Sequence, residues 1–187
     1  MITGSFDPVT SGHLDLIGRS AKMFDEVWVV IVANTEKKSG LFTPEERLAL
    51  MEAAVSEIPN VRAMVYGGLT SDAAEQIGAS VIVRGARNAT DYDYEYTLSL
   101  IMKRFAPHIE TIILPTSPEY AAISSTYVRD LLKYGCDLGD AVPDGCREQM
   151  LALWNRKSCE PKFTAFFHAL SFSQPQSPII WERMYLT

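Results

Sequence analysis

Four short segments of this 187-residue chain carry residue types suited to holding polyphosphate. In Gly4-Ser5-Phe6-Asp7-Pro8-Val9-Thr10-Ser11-Gly12-His13, a turn at Asp7-Pro8 leads into a helix beginning near Gly12. The free amides and positive dipole end of a helix start attract anions. Ser5 adds a hydroxyl and a backbone N–H, Gly12 leaves room, and His13 offers an imidazole. Turn glycines and a surface capping histidine would explain the same residues. Lys37 and Lys38 lie between Asn34 and Gly40, directly after the most apolar run of the chain. A lysine there reaches a phosphate at the sheet edge, or is simply solvated. In Arg84-Gly85-Ala86-Arg87, followed by Asp91-Tyr92-Asp93-Tyr94-Glu95, a guanidinium ends an apolar strand and needs an anion. That anion is either a substrate phosphate or the carboxylates of Asp91 and Glu95. Finally, Ile123-Ser124-Ser125-Thr126-Tyr127-Val128-Arg129 places hydroxyls at a helix start with an arginine one turn on. This either caps free N–H groups or receives a triphosphate.

The elements that must position these segments alternate. Val27 to Ala33 (VWVVIVA) is a continuous β-branched run, so it reads as a strand buried on both faces. Val61 to Tyr66, Ser80 to Arg84 and Thr111 to Leu114 repeat the signal, and the initial MIT reads as a very short strand of the same type. Thr43-Pro44-Glu45-Glu46 is a capping box opening a helix from Pro44 to Glu57. Leu48, Met51, Val55 and Ile58 form its expected core stripe. A further helix is expected from Tyr92 to Phe105, stopped by Ala106-Pro107. Strand–helix alternation predicts an α/β fold with a doubly wound parallel sheet, whose ligands bind beyond the carboxyl ends of the strands.

Composition narrows the function. Hydrophobic residues make up 47% and charged residues 21%, which marks a folded globular chain and excludes a disordered or collagen-like one. Lys and Arg number 17 against 23 Asp and Glu, a net charge of −6 that argues against a nucleic-acid partner. No apolar run approaches the roughly 20 residues that span a bilayer, so no membrane partner is expected. The first ten residues lack the basic and apolar regions of a secretory leader. Cys136, Cys146 and Cys159 make no CxxC pair; they read as reduced thiols of a cytoplasmic protein, and no protein-held metal site is expected. Residues 1–156 read as one domain. From 157 to 187 the chain is rich in Ser, Pro, Gln and aromatics without clean periodicity, an atypical extension that docks on a partner or is poorly ordered.

Taken together, GSFDPVTSGH and ISSTYVR resemble the T/HxGH and ISSTxxR signatures of the nucleotidyltransferase superfamily. The middle segment RGARNATDYDYEYTLSL followed by PHIETIIL resembles the bacterial phosphopantetheine adenylyltransferases, over nearly everything from Ile2 to about Asn155. The resemblance implies a Rossmann-like nucleotidyltransferase fold. It also implies transfer of the adenylyl group of ATP to 4′-phosphopantetheine, giving dephospho-CoA and pyrophosphate, with Mg²⁺ accompanying the ATP and a homohexameric assembly. The products belong to the penultimate step of coenzyme A synthesis. By the same resemblance His13 is the catalytic residue at the α-phosphate, and Ser5 and Phe6 stand where the two substrates meet. Gly85, Ala86, Arg87, Glu95 and Tyr120, Ala121, Ala122, Ile123, Ser124, Ser125 and Thr126 serve ATP. Lys37, Thr70 and Arg84 serve phosphopantetheine together with Ser5. Two departures stand out: Met102 occupies a position where the family often has Asn, and Met1 falls within the first strand. The competing readings are an NMN adenylyltransferase, which usually shows HxGH and lacks the RGxR…DYEYE segment, and a non-catalytic nucleotide- or CoA-binding homologue.

Overall fold

A computed structural model of the chain describes residues 1–33 and 40–158. Five strands, β1 (Ile2–Gly4), β2 (Val27–Val32), β3 (Val61–Tyr66), β4 (Val81–Ala86) and β5 (Glu110–Pro115), form one parallel sheet in the order β3-β2-β1-β4-β5. The helices are α1 (Ser11–Ala21), α2 (Pro44–Val55), α3 (Thr70–Gln76), α4 (Ala89–Phe105), α5 (Ser125–Tyr134) and α6 (Asp144–Ser158). The first of two compact units runs from Met1 to Leu153. The expected Rossmann-like doubly wound architecture is therefore present. The chain winds outward from β1 to β3, then returns to the centre and winds the other way through β4 and β5. The switch point lies between β1 and β4, where such sheets open a crevice at their carboxyl edge.

The β-branched run predicted to be a strand buried on both faces is one, beside the central β1: Val27, Val29 and Ile31 are buried toward one face of β2 and Val30 toward the other. Its neighbour β1 is only three residues long. It pairs with β2 through Ile2↔Val29, Thr3↔Val30 and Gly4↔Ile31, but with β4 only through Ile2↔Val83. Beyond that pair β4 continues to Ala86 alongside β5 alone. The unpaired edge above Val83 is the floor of the crevice.

Helix α2 starts where its capping box predicts. Thr43 Oγ1 accepts from the Glu46 N–H at 3.2 Å, and Glu46 Oε2 accepts from the Thr43 N–H at 2.8 Å. Its buried positions are Leu50, Met51 and Val55. The expected stripe was thus misplaced at its ends: Leu48 and Ile58 are only half-buried, and Ile58 lies beyond the helix. Helix α4 starts at Ala89, three residues before the expected Tyr92, because Asn88 caps it by accepting from the Asp91 N–H at 2.9 Å.

Candidate functional site

The T-x-G-H spacing has a physical basis at the start of α1. Thr10 is the N-cap and His13 occupies the third helical position, so the two form a capping box in which an imidazole replaces the usual carboxylate. Thr10 Oγ1 accepts from the His13 N–H at 3.3 Å, and the Thr10 N–H donates to His13 Nδ1 at 3.0 Å. A backbone N–H can only donate, so Nδ1 carries no proton and the neutral ring holds its proton on Nε2. Burial, with the nearby Arg87 guanidinium adding to it, lowers the His13 pKa to about 4. Of the two forms open to His13, imidazolium and neutral donor, the free protein holds the neutral donor.

Phe6 supports this ring from the side. Its centroid lies 5.0 Å from that of His13 at an interplanar angle of 76°. Phe6 sits at φ 45°, a left-handed conformation that is costly for a bulky residue and is held here by burial of the ring. A Cβ on Gly4 would stand 3.1 Å from the Phe6 ring, so the preceding glycine makes the fold-back possible.

Around this corner lies a cleft of about 480 Å³ at the carboxyl ends of β1 and β4. Its wall includes Ser5, Phe6, His13, Gly85, Arg87, Glu95, Tyr120, Ile123, Ser124, Ser125 and Thr126, bringing together most of the residues expected to serve ATP. Ala86, Ala121 and Ala122 are not part of that wall. Ala86 is buried with its carbonyl accepting the Thr116 N–H at 2.9 Å, and Ala121 and Ala122 are exposed on the turn outside it. A second, more apolar cleft of about 450 Å³ shares Thr3, Gly4, Ser5, Arg84 and Glu95 with the first. It takes in Thr70 at the start of α3 and Met102 on α4. Ser5 therefore stands at the junction of the two, whereas Phe6 lines only the first. Lys37 lies outside the described residues, as do Cys159 and nearly all of 157–187.

The hydroxyl cluster at α5 is more structural than its sequence suggests. Ser124 caps the helix by accepting from the Tyr127 N–H at 3.1 Å, and Ser125 Oγ donates to the Pro8 carbonyl at 2.8 Å. Arg129 donates to the Asp7 carbonyl at 2.6 Å and to Thr126 Oγ1 at 2.8 Å. These bonds staple α5 to the turn between Ser5 and Pro8. Residues at the starts of α1 and α5 thus line one cleft, which is a favourable arrangement for a polyanion.

Both predicted arginines have carboxylate partners. Arg84 grips Glu95 through two bonds of 2.5 and 2.9 Å and donates to the carbonyl and hydroxyl of Thr3 at 2.8 and 2.6 Å. Arg87 pairs with Asp91 at 2.8 Å, holding that carboxyl below its usual range. The cleft also contains Arg129, the arginine read one turn into α5, together with Asp15 and Arg19, which the sequence reading left out of the site. The available signal for Asp15 and Arg19 was helical spacing, since Ser11, Asp15 and Arg19 fall four apart along α1 and so share one face.

Among the described residues no group of three or more His, Cys, Asp and Glu is arranged to hold a metal ion, and no helix is long and apolar enough to cross a membrane. Residues 1–131 match the family model described as cytidylyltransferase-like. A phosphopantetheine adenylyltransferase of Levilactobacillus brevis is 42% identical over 149 residues, covering 80% of this chain and 92% of its own. One of Finegoldia magna is 43% identical, covering 82% and 94%, and one of Desulforudis audaxviator is 46% identical, covering 75% and 85%. A solved structure assigned as a nicotinate-nucleotide adenylyltransferase of Vibrio parahaemolyticus superposes with a TM-score of 0.60 at 17% identity, covering 80% of this chain and 96% of its own, a likeness of fold alone.

Proposed function

The chain belongs to the phosphopantetheine adenylyltransferase family, within the cytidylyltransferase-like proteins, and we propose that it transfers the adenylyl group of ATP to 4′-phosphopantetheine. The products are dephospho-CoA and pyrophosphate. The observation that carries this reading is the pair of clefts meeting at Ser5: one polar and lined by two helix starts, the other more apolar and lined by α4. ATP suits the first and the pantetheine arm the second, so that the two reacting phosphates meet at the junction.

In this reaction an oxygen of the phosphopantetheine phosphate attacks the α-phosphorus of ATP, a P–O bond forms, and the bond to the β-phosphate breaks. Pyrophosphate leaves with the electron pair. The nucleophile is already ionised, so the protein needs no strong base; it has to align two polyanions and offset charge at phosphorus. His13, as a neutral Nε2–H donor, bonds an α-phosphate oxygen. The amides at the starts of α1 and α5, with Arg87, receive the β- and γ-phosphates. Lys37 and Arg84 hold the acceptor phosphate, and Thr70 lies along the pantetheine arm. For Arg84 this means exchanging or sharing its bond to Glu95, which sits between the two substrates. Met102 replaces a polar contact with an apolar one on the pantetheine side. Mg²⁺ arrives as part of the MgATP substrate; the chain supplies no carboxylate cage for it among its described residues.

Residues 1–156 form the proposed catalytic domain and 157–187 an extension to it. The proposed homohexamer draws support from α4, which carries exposed Tyr92, Tyr96 and Leu100 and has no buried residue. A cytoplasmic location fits the soluble substrates. Incubation with MgATP and 4′-phosphopantetheine, followed by mass spectrometry, is expected to yield dephospho-CoA and pyrophosphate in equal amounts. Product formed instead from nicotinate or nicotinamide mononucleotide, or ATP hydrolysis alone, would overturn this reading.

A further inference from the structure

We propose that Asp15, Arg19 and Ser117 are positioning residues for the nucleotide base, acting by fixing the wall of the first cleft between Thr116 and Ile123; the inference rests on the ATP reading above. Arg19 Nη1 donates to the Pro115 carbonyl at 2.8 Å and pairs with Asp15 Oδ2 at 3.3 Å, one helical turn earlier. Ser117 Oγ donates to the same Asp15 oxygen at 2.8 Å. This polar bracket ties the middle of α1 to the segment leaving β5. The next residues, Pro118–Tyr120, make a 3₁₀ turn that brings Tyr120 against the start of α1. A Cβ on Gly12 would stand 3.4 Å from the Tyr120 Cβ. The wall is thus held to α1 at Gly12, Asp15 and Arg19 in succession.

The bracket lies at the base end of the cleft. The phosphate-binding amides are at the helix start, and Arg19 lies six residues beyond His13, about 9 Å along the axis at the α-helical rise. An ionised Asp15 would repel a phosphate placed beside it. Its neighbours in the cleft include Leu16 and Gly85, which approach so closely that a Cβ on Gly85 would meet Leu16 at 3.2 Å. Within this polar cleft Leu16 and Gly85 offer a local flat apolar surface, and with Tyr120 and Ile123 in the fixed wall it suits a planar ring. Such a ring is held equally in the ground and transition states, so loosening the wall weakens ATP binding without slowing the chemistry.

Ser117→Ala tests this, with Asp15→Ala as a second variant and Ser117→Thr as the rescue. Calorimetric ATP affinity is expected to fall about tenfold in the alanine variants, the loss of one bond to a charged group. The KM for ATP should rise in parallel while kcat stays within about twofold and the KM for phosphopantetheine holds. Ser117→Thr should restore ATP affinity. Unchanged ATP affinity in both alanine variants, a fall in kcat instead of a rise in KM, or no rescue by threonine would overturn the proposal. Calorimetry needs no acceptor, so it decides the bracket even if wild-type protein makes no dephospho-CoA, an outcome that would instead overturn the functional reading.

Discussion

His13 does two things that a single residue rarely combines: it completes the cap of α1 and it offers a proton to the cleft. The first requirement sets the second, because the Thr10 N–H occupies Nδ1 and leaves the proton on Nε2. Keeping the ring neutral has a consequence for stability. The unfolded chain binds a proton at His13 near pH 6.5, whereas the folded chain does so only near pH 4. Between these values the unfolded state holds the extra proton, so stability falls as pH drops from about 6.5 to 4, by up to a few kcal/mol, and is free of this term above 6.5. His13→Asn is expected to flatten the pH dependence of urea unfolding in that window. An unchanged slope would mean that the native ring titrates like an exposed histidine. None of this was legible from the sequence, where His13 could equally have been a surface cap; it does cap α1, but its ring is desolvated rather than set on the surface, and capping is what orients it.

At the scale of elements, the strands and helix starts were the most legible features, since each is written locally. The Thr43 and Glu46 capping box needs only residues three apart, and the structure closes it from both sides. Thr43→Ala is expected to cost about 1 kcal/mol of stability by chemical denaturation and leave kcat unchanged. Thr10→Ala, at the equivalent position of α1, should cost a similar amount of stability but also lower kcat, because it removes one of the bonds around the imidazole. Equal activity in the two variants would separate the α1 cap from catalysis. The start of α4 was placed three residues late, at Tyr92, although asparagine is a strong N-cap and Asn88 accepts from the Asp91 N–H. The pairing of Arg84 with Glu95 was one of the two readings its sequence neighbourhood offered. The bond of Ser125 to the Pro8 carbonyl was illegible, because the two lie 117 positions apart and only the fold brings them together.

For the molecule as a whole, the sheet order explains why a chain with net charge −6 suits two polyanions. Arg19, Arg84, Arg87 and Arg129 gather at the one place where winding reverses, so local and global charge differ in sign of effect. Three of the four are held by carboxylates, which fixes their positions before substrate arrives, although Arg84 has to share or exchange its carboxylate when the acceptor phosphate binds. Assembly belongs to this scale too. Tyr96 and Leu100 are 51% and 52% exposed on α4 and line neither cleft. Replacing both with Glu is expected to reduce the sedimentation coefficient of the proposed hexamer to that of a smaller species. A wild-type monomer, or a variant of unchanged size, would contradict that face's role. The most direct measurement of the central claim is the single-turnover rate of dephospho-CoA formation with both substrates saturating, in wild-type protein and in His13→Ala. A loss of about 100-fold or more, with ATP still bound, is the predicted result; an equal rate in a folded variant would contradict the place given to His13 at the α-phosphate.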